Sequence, residues 1–73
     1  MGNFMRNFIE TYDVHDKTKV LIHISSIKTV SKDADNYTFI ELKRDNNGNA
    51  YGIKTNESYD VIFNKIYYAQ GGK

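Results

Sequence analysis

Tyr37-Thr38-Phe39-Ile40-Glu41-Leu42-Lys43 sets Thr38, Ile40 and Leu42 against Tyr37, Phe39, Glu41 and Lys43. Successive side chains of an extended chain point to opposite faces, so this alternation predicts a strand with one apolar and one mixed face. Arg44-Asp45-Asn46-Asn47-Gly48-Asn49 follows, and its Asn-Gly step supplies the positive φ that a hairpin turn needs. Ala50 to Lys54 then returns as the partner strand.

Working toward the N-terminus, Asp33-Ala34-Asp35-Asn36 is a turn cluster, because Asp and Asn side chains bond their own backbone two residues on. Ile27 to Lys32 reads as a short strand and Ser25-Ser26 as a tight corner. Lys19 to Ile24 is a strand with Val20, Ile22 and Ile24 on one face, and Leu21 and His23 on the other. Phe8 to Val14 is a β-rich run that ends in the polar reversal His15-Asp16-Lys17-Thr18.

Toward the C-terminus the period changes from 2 to 3.6. Thr55 or Asn56 is the expected cap, with Glu57 in the first helical turn. Tyr59, Ile62, Phe63 and Ile66 form the apolar stripe, and Ile62 and Ile66 are expected to cross the sheet face that carries Ile22, Ile40 and Ile53. The expected class is α+β: a curved antiparallel meander sheet of four to five short strands, with one C-terminal helix packed on one face. A single domain is expected over 1–73, with 1–7 and 70–73 as flexible ends.

Several function classes drop out on composition. Of 73 residues 40% are hydrophobic and 14% aromatic, too apolar for a disordered chain, while no run is long enough to span a membrane. Ten basic residues against nine acidic ones give a net charge of +1, with the signs mixed along the chain. No electrostatic footprint for nucleic acid stands out. There is no cysteine, so neither a disulfide nor a thiolate metal site can support so small a domain. Good packing or self-association must supply the extra stability, and a homo-oligomer is expected. The first residues carry no secretory pattern, and Arg6 stands where a myristoylation signal needs Ser or Thr, so a cytoplasmic location is expected. Asn, Lys, Ile and Tyr, all with A/T-rich codons, supply 30 residues (8 + 8 + 8 + 6), as in low-GC bacteria and their phage.

Lys19-Val20-Leu21-Ile22-His23-Ile24-Ser25-Ser26-Ile27-Lys28-Thr29-Val30, then Tyr37-Thr38-Phe39-Ile40-Glu41-Leu42, then Tyr51 to Ile62 with Glu57-Ser58 near the helix start, resembles the small FlbD-like proteins of bacteria and phage. The resemblance covers about Phe8 to Ile66. It implies no catalytic residues. Two positions depart from the pattern: Thr11 replaces an aliphatic in the first strand, and Asn56 is inserted before Glu57-Ser58.

The histidines, His15 and His23, lie in a turn and a strand and are expected to be surface residues rather than metal ligands. Ser25-Ser26 beside His23 lacks a nameable orienting acid or oxyanion donors, and Glu10, Glu41 and Glu57 are better explained as surface or cross-strand charges. Neither an enzyme nor a cofactor is expected. The informative residues are aromatic. Tyr37, Phe39 and Tyr51 are expected to share the outer sheet face with Lys43 or Lys54, and Tyr67 and Tyr68 to make a second sticky face at the helix end. These residues are the candidate binding surface of a non-enzymatic interaction protein, phage-encoded and blocking a host defence factor, or self-assembling. The alternatives are an oligomeric nucleotide-binding sponge, or a protein that stacks single-stranded nucleic acid on aromatic rings.

Overall fold

The computed structural model describes residues 6–71. In chain order it contains β1 (Phe8–Asp13), β2 (Thr18–His23), a 3-10 turn (Ile24–Ser26), β3 (Ile27–Lys32), β4 (Thr38–Leu42), β5 (Tyr51–Thr55) and α1 (Tyr59–Ala69). Every strand pair is antiparallel and the class is α+β. The strands form two sheets instead of one: β1 pairs with β2, and β3, β4 and β5 pair in that order.

The break lies at the corner between β2 and β3. His23 Nδ1 accepts the Ser25 backbone N–H at 3.1 Å, and the Ile27 N–H closes the turn on the Ile24 carbonyl. The Ile24 N–H goes to the Asn7 carbonyl and the Ser26 carbonyl takes the Lys43 N–H, so none of the corner's backbone groups pairs β2 with β3 and the two strands follow one another without forming a hairpin. The two sheets are joined elsewhere, where β1 lies beside β5. The Val14 N–H donates to the Lys54 carbonyl at 2.9 Å, and the Thr11 and Thr55 hydroxyls meet at 2.8 Å.

The reversals use the expected chemistry. Asp13 Oδ1 accepts from the N–H groups of His15 and Asp16 at 2.9 and 3.3 Å, and Lys17 takes a φ of 57°. Asp45 Oδ1 accepts from the N–H groups of Asn47 and Asn49, both at 2.9 Å, while Gly48 supplies a φ of 81° that a residue with a Cβ rarely adopts.

Ile9, Ile22, Ile40, Ile53, Ile62 and Ala69 form the buried core, with Val20, Ile24, Ile27, Val30, Leu42 and Ile66 packed against it. Ile62 thus shares this core with side chains of both sheets, whereas the expectation placed Ile22, Ile40 and Ile53 on one sheet face. The helix start differs from expectation. Ser58 is the cap, its Oγ accepting the Val61 N–H at 3.2 Å, so Glu57 precedes the helix and Thr55 closes β5. Phe63 is also not a core residue but is 56% exposed. The buried line runs Ile62, Ile66, Ala69, and Phe63 stands about 100° around the helix from Ile62.

The expected flexible ends fall mostly on residues 1–5 and 72–73, which lie outside the described residues. Asn7, inside them, donates to the Ala69 carbonyl at 2.8 Å and accepts the Ile24 N–H at 2.9 Å. Among the described residues no helix is long and apolar enough to cross a membrane.

Candidate functional site

On the outer face of the three-stranded sheet the register sets Ser31, Phe39 and Lys54 abreast, beside Thr29, Glu41 and Gly52. Phe39 is 40% exposed and its ring lies over Gly52, so close that an added Cβ would clash with Cζ. Glycine at position 52 is thus a seat for the ring. Lys54 Nζ sits 4.7 Å from the centre of the Tyr37 ring and 3.1 Å from Asp33 Oδ2. Tyr37, Phe39 and Lys54 do come together as expected.

Tyr51 does not join them. It pairs with Leu42 and alternates with Gly52, so it shares the side of Ile53 and Thr55, the opposite face of the sheet from Phe39. Its hydroxyl donates to Asp45 Oδ2 at 3.1 Å. The parity was legible in the sequence, since Tyr51 and Lys54 are separated by an odd number of steps. Lys43 lies past the end of β4, exposed, with its backbone N–H on the Ser26 carbonyl at 2.8 Å.

The Lys54 ammonium, bonded to Asp33, holds that carboxyl below its ordinary 3.8; the Asn49 backbone N–H is the largest cause of the same direction at Asp45. A carboxyl lowered in the folded state contributes stability above its unfolded value and loses it as pH falls through the lowered folded value. Lys54→Met is therefore expected to return the Asp33 titration toward 3.8 while leaving Asp45 low, as followed by carboxyl carbon shifts between neutral and acidic pH. An Asp33 titration unmoved by that substitution would show that the ion pair is absent in solution.

The second aromatic group lies on the helix. Val30 of β3 and Tyr59, Phe63, Ile66, Tyr67 and Gln70 line a shallow groove of about 250 Å³. Tyr67 and Tyr68 are 39% and 55% exposed, with their rings edge to face at 5.4 Å. Sequence reasoning missed the groove because it assigned Phe63 and Tyr59 to the buried stripe. The offset of Phe63 from the Ile62, Ile66, Ala69 line is the signal that could have found it.

A third cluster centres on Glu57. Thr11 Oγ1 donates to Glu57 Oε1 at 2.6 Å, and Lys65 Nζ donates to Oε1 and Oε2 at 2.8 and 2.9 Å and to the Glu10 carbonyl at 2.6 Å. Since the single Thr11 hydroxyl proton goes to Glu57, the 2.8 Å bond between Thr11 and Thr55 must be donated by Thr55. Thr55 Oγ1 in turn accepts the Glu57 N–H at 3.2 Å. The chain of bonds leaves Glu57 at its amide and returns at its carboxylate. Thr38 Oγ1 also donates to the Glu57 carbonyl, at 2.8 Å. The cluster joins β1, β4, β5 and α1, and every partner it uses is internal.

His23 and Ser25 are close, Nδ1 to Oγ at 2.7 Å, with Phe8 edge-on to the imidazole at 4.8 Å between ring centres. The same nitrogen accepts the Ser25 amide, which makes the pair part of the corner turn. Among the described residues there is no group of three metal-ligating side chains. The chain matches no known protein family, no curated protein and no solved structure.

Proposed function

We propose that this chain is a non-enzymatic binding protein that holds a protein partner on the flank formed by α1 and β3. The observation that carries this reading is the exposure of Phe63, at 56%, beside Tyr67 in the groove that α1 forms with Val30 of β3. A fully buried aromatic side chain covers about 150–250 Å², and the exposed share of these rings is available to a partner; hydrophobic patches rimmed by polar residues mark interaction sites. Tyrosine and phenylalanine are also enriched where protein interfaces are best packed.

The sheet face gives the nucleic-acid and nucleotide readings less support. Lys54 is already committed to Asp33 and to the Tyr37 ring, so a phosphate would have to displace an existing ion pair. Tyr51, a needed third ring, is on the other face.

Phe63→Asp is the discriminating substitution. At a surface position it is expected to shift stability by only about 0.5 kcal/mol. A protein captured from the native host by the wild-type chain should be lost by Phe63→Asp and kept by Tyr37→Ser. Equal capture by both variants would overturn the assignment of this flank. Light scattering on the same pair reads whether a second copy is the partner.

A further inference from the structure

Resting on that reading, we propose that the α1–β3 flank binds an extended peptide segment in which every second side chain is apolar or acidic, and which adds to the sheet as a strand along β3. β3 is an edge strand: it pairs with β4, and among the described residues no strand lies on its other side. An edge presents a row of backbone donors and acceptors, and strand addition is the recognition mode that uses them.

The groove lies where such a strand would send its side chains. Val30 faces the same way as its partner Ile40, toward the core side of the sheet, and it lines the groove with Phe63, Ile66 and Tyr67. A segment laid beside β3 places every second side chain on that side, against the exposed flank of the helix. The apolar positions of the peptide meet Phe63 and Tyr67 there.

Charge selects the remaining positions. Lys32 pairs with Thr38, which is 1% exposed, so it shares the face of Val30 two residues away. Lys32 is exposed, and among the described residues no acidic group lies within ion-pair distance of it. Lys28, 58% exposed, approaches Glu41 only at 3.9 Å. A carboxylate two residues from the apolar anchor would stand opposite Lys32, and opposite charges across a ladder are favourable. The register of β3 shifts between Ile27 and Thr29, so a two-fold antiparallel pairing with a second copy centred on Val30 would keep a regular ladder only over Thr29 to Ser31, too short to favour a second copy in this place.

The probe is a short synthetic peptide in which Thr alternates with Glu, Phe and Val, labelled for fluorescence anisotropy against the full chain. It is expected to bind more tightly than a scrambled peptide of the same composition and to slow hydrogen exchange of backbone amides in β3. Lys32→Glu should weaken it roughly threefold to tenfold, with recovery when Lys replaces Glu in the peptide. Phe63→Asp should abolish binding. Equal binding of the scrambled peptide, or binding that leaves β3 exchange unchanged, overturns the proposal. So does binding seen only after removal of residues 1–5, which would make the chain's own start the occupant. If a host protein is lost by Phe63→Asp while β3 exchange never responds to it, strand addition is wrong and the protein-binding role of the flank stands.

Discussion

Ile62→Ala is expected to destabilise the chain by about 2–5 kcal/mol, the range for deleting a buried isoleucine beyond Cβ. At about 0.05–0.15 kcal/mol per residue, 73 residues carry a total of only about 4–11 kcal/mol. The substitution therefore removes a large share of what holds the fold. Ile62 is 0% exposed and lies in one cluster with Ile9 and Ile22 of one sheet and Ile40 and Ile53 of the other. The sheets are joined at β1 and β5 by few backbone bonds, so the side chain that fills the space between them bears on both. Urea unfolding followed by circular dichroism should show a lower midpoint and a single transition reporting helix and strands together. Ile62→Val, which removes one methylene, should cost about 0.5–1.5 kcal/mol. Val61→Ala, on the outward side at 41% exposed, should be close to neutral. A loss for Ile62→Ala of less than about 1 kcal/mol, below the usual range for such a truncation, would mean that the helix is not docked through this residue.

Why that residue was legible in the sequence and others were not has a physical answer. Ile40 lies in a clean period of 2 and Ile62 in a period of 3.6, and each periodicity is imposed by the backbone geometry itself. The reversals at Asp33 to Asn36 and at Gly48 were legible for the same local reason, because they follow from side chains bonding their own backbone. Features that depend on distant partners were hidden. Nothing local to Ser25 says that β2 and β3 will part into two sheets. Phe63 is as apolar as Ile62, and only the position of Ala69 reveals which line of the helix is buried. In the candidate surface, Phe39, Tyr37 and Lys54 were placed together correctly by alternation, whereas Tyr51 was misplaced by ignoring it.

The least legible feature is the hub at Glu57. Thr11 is 3% exposed and carries the middle of the hydroxyl chain. Asn56 separates Glu57 from Thr55, which lets the Glu57 amide reach back to the hydroxyl two residues earlier. A buried threonine in a strand looks like a weak core residue until its partners, 44 and 46 residues away, are in view.

Glu57→Ala is the second large expected effect, about 2–4 kcal/mol, and its coupling to Thr11 tests the direction of every bond in the chain. Hydrogen bonds to a charged group are worth about 1.5–3 kcal/mol, and a buried donor left without a partner costs about 1–3 kcal/mol. With the carboxylate gone, Lys65 keeps only the Glu10 carbonyl, and Thr11 and Thr55 hold two hydroxyl protons for the one bond between them. One proton is orphaned. Thr11→Val also orphans one proton, that of Thr55, while Glu57 keeps Lys65. In the double variant the count is unchanged: Thr55 still has one proton without an acceptor, and Lys65 has lost its carboxylate. The double variant should therefore unfold at nearly the same urea concentration as Glu57→Ala alone, with the whole Thr11→Val cost, about 1–3 kcal/mol, appearing as coupling. Additive costs would mean that Thr11 and Glu57 act separately and that the hydroxyl chain does not join β1 to the entry of the helix.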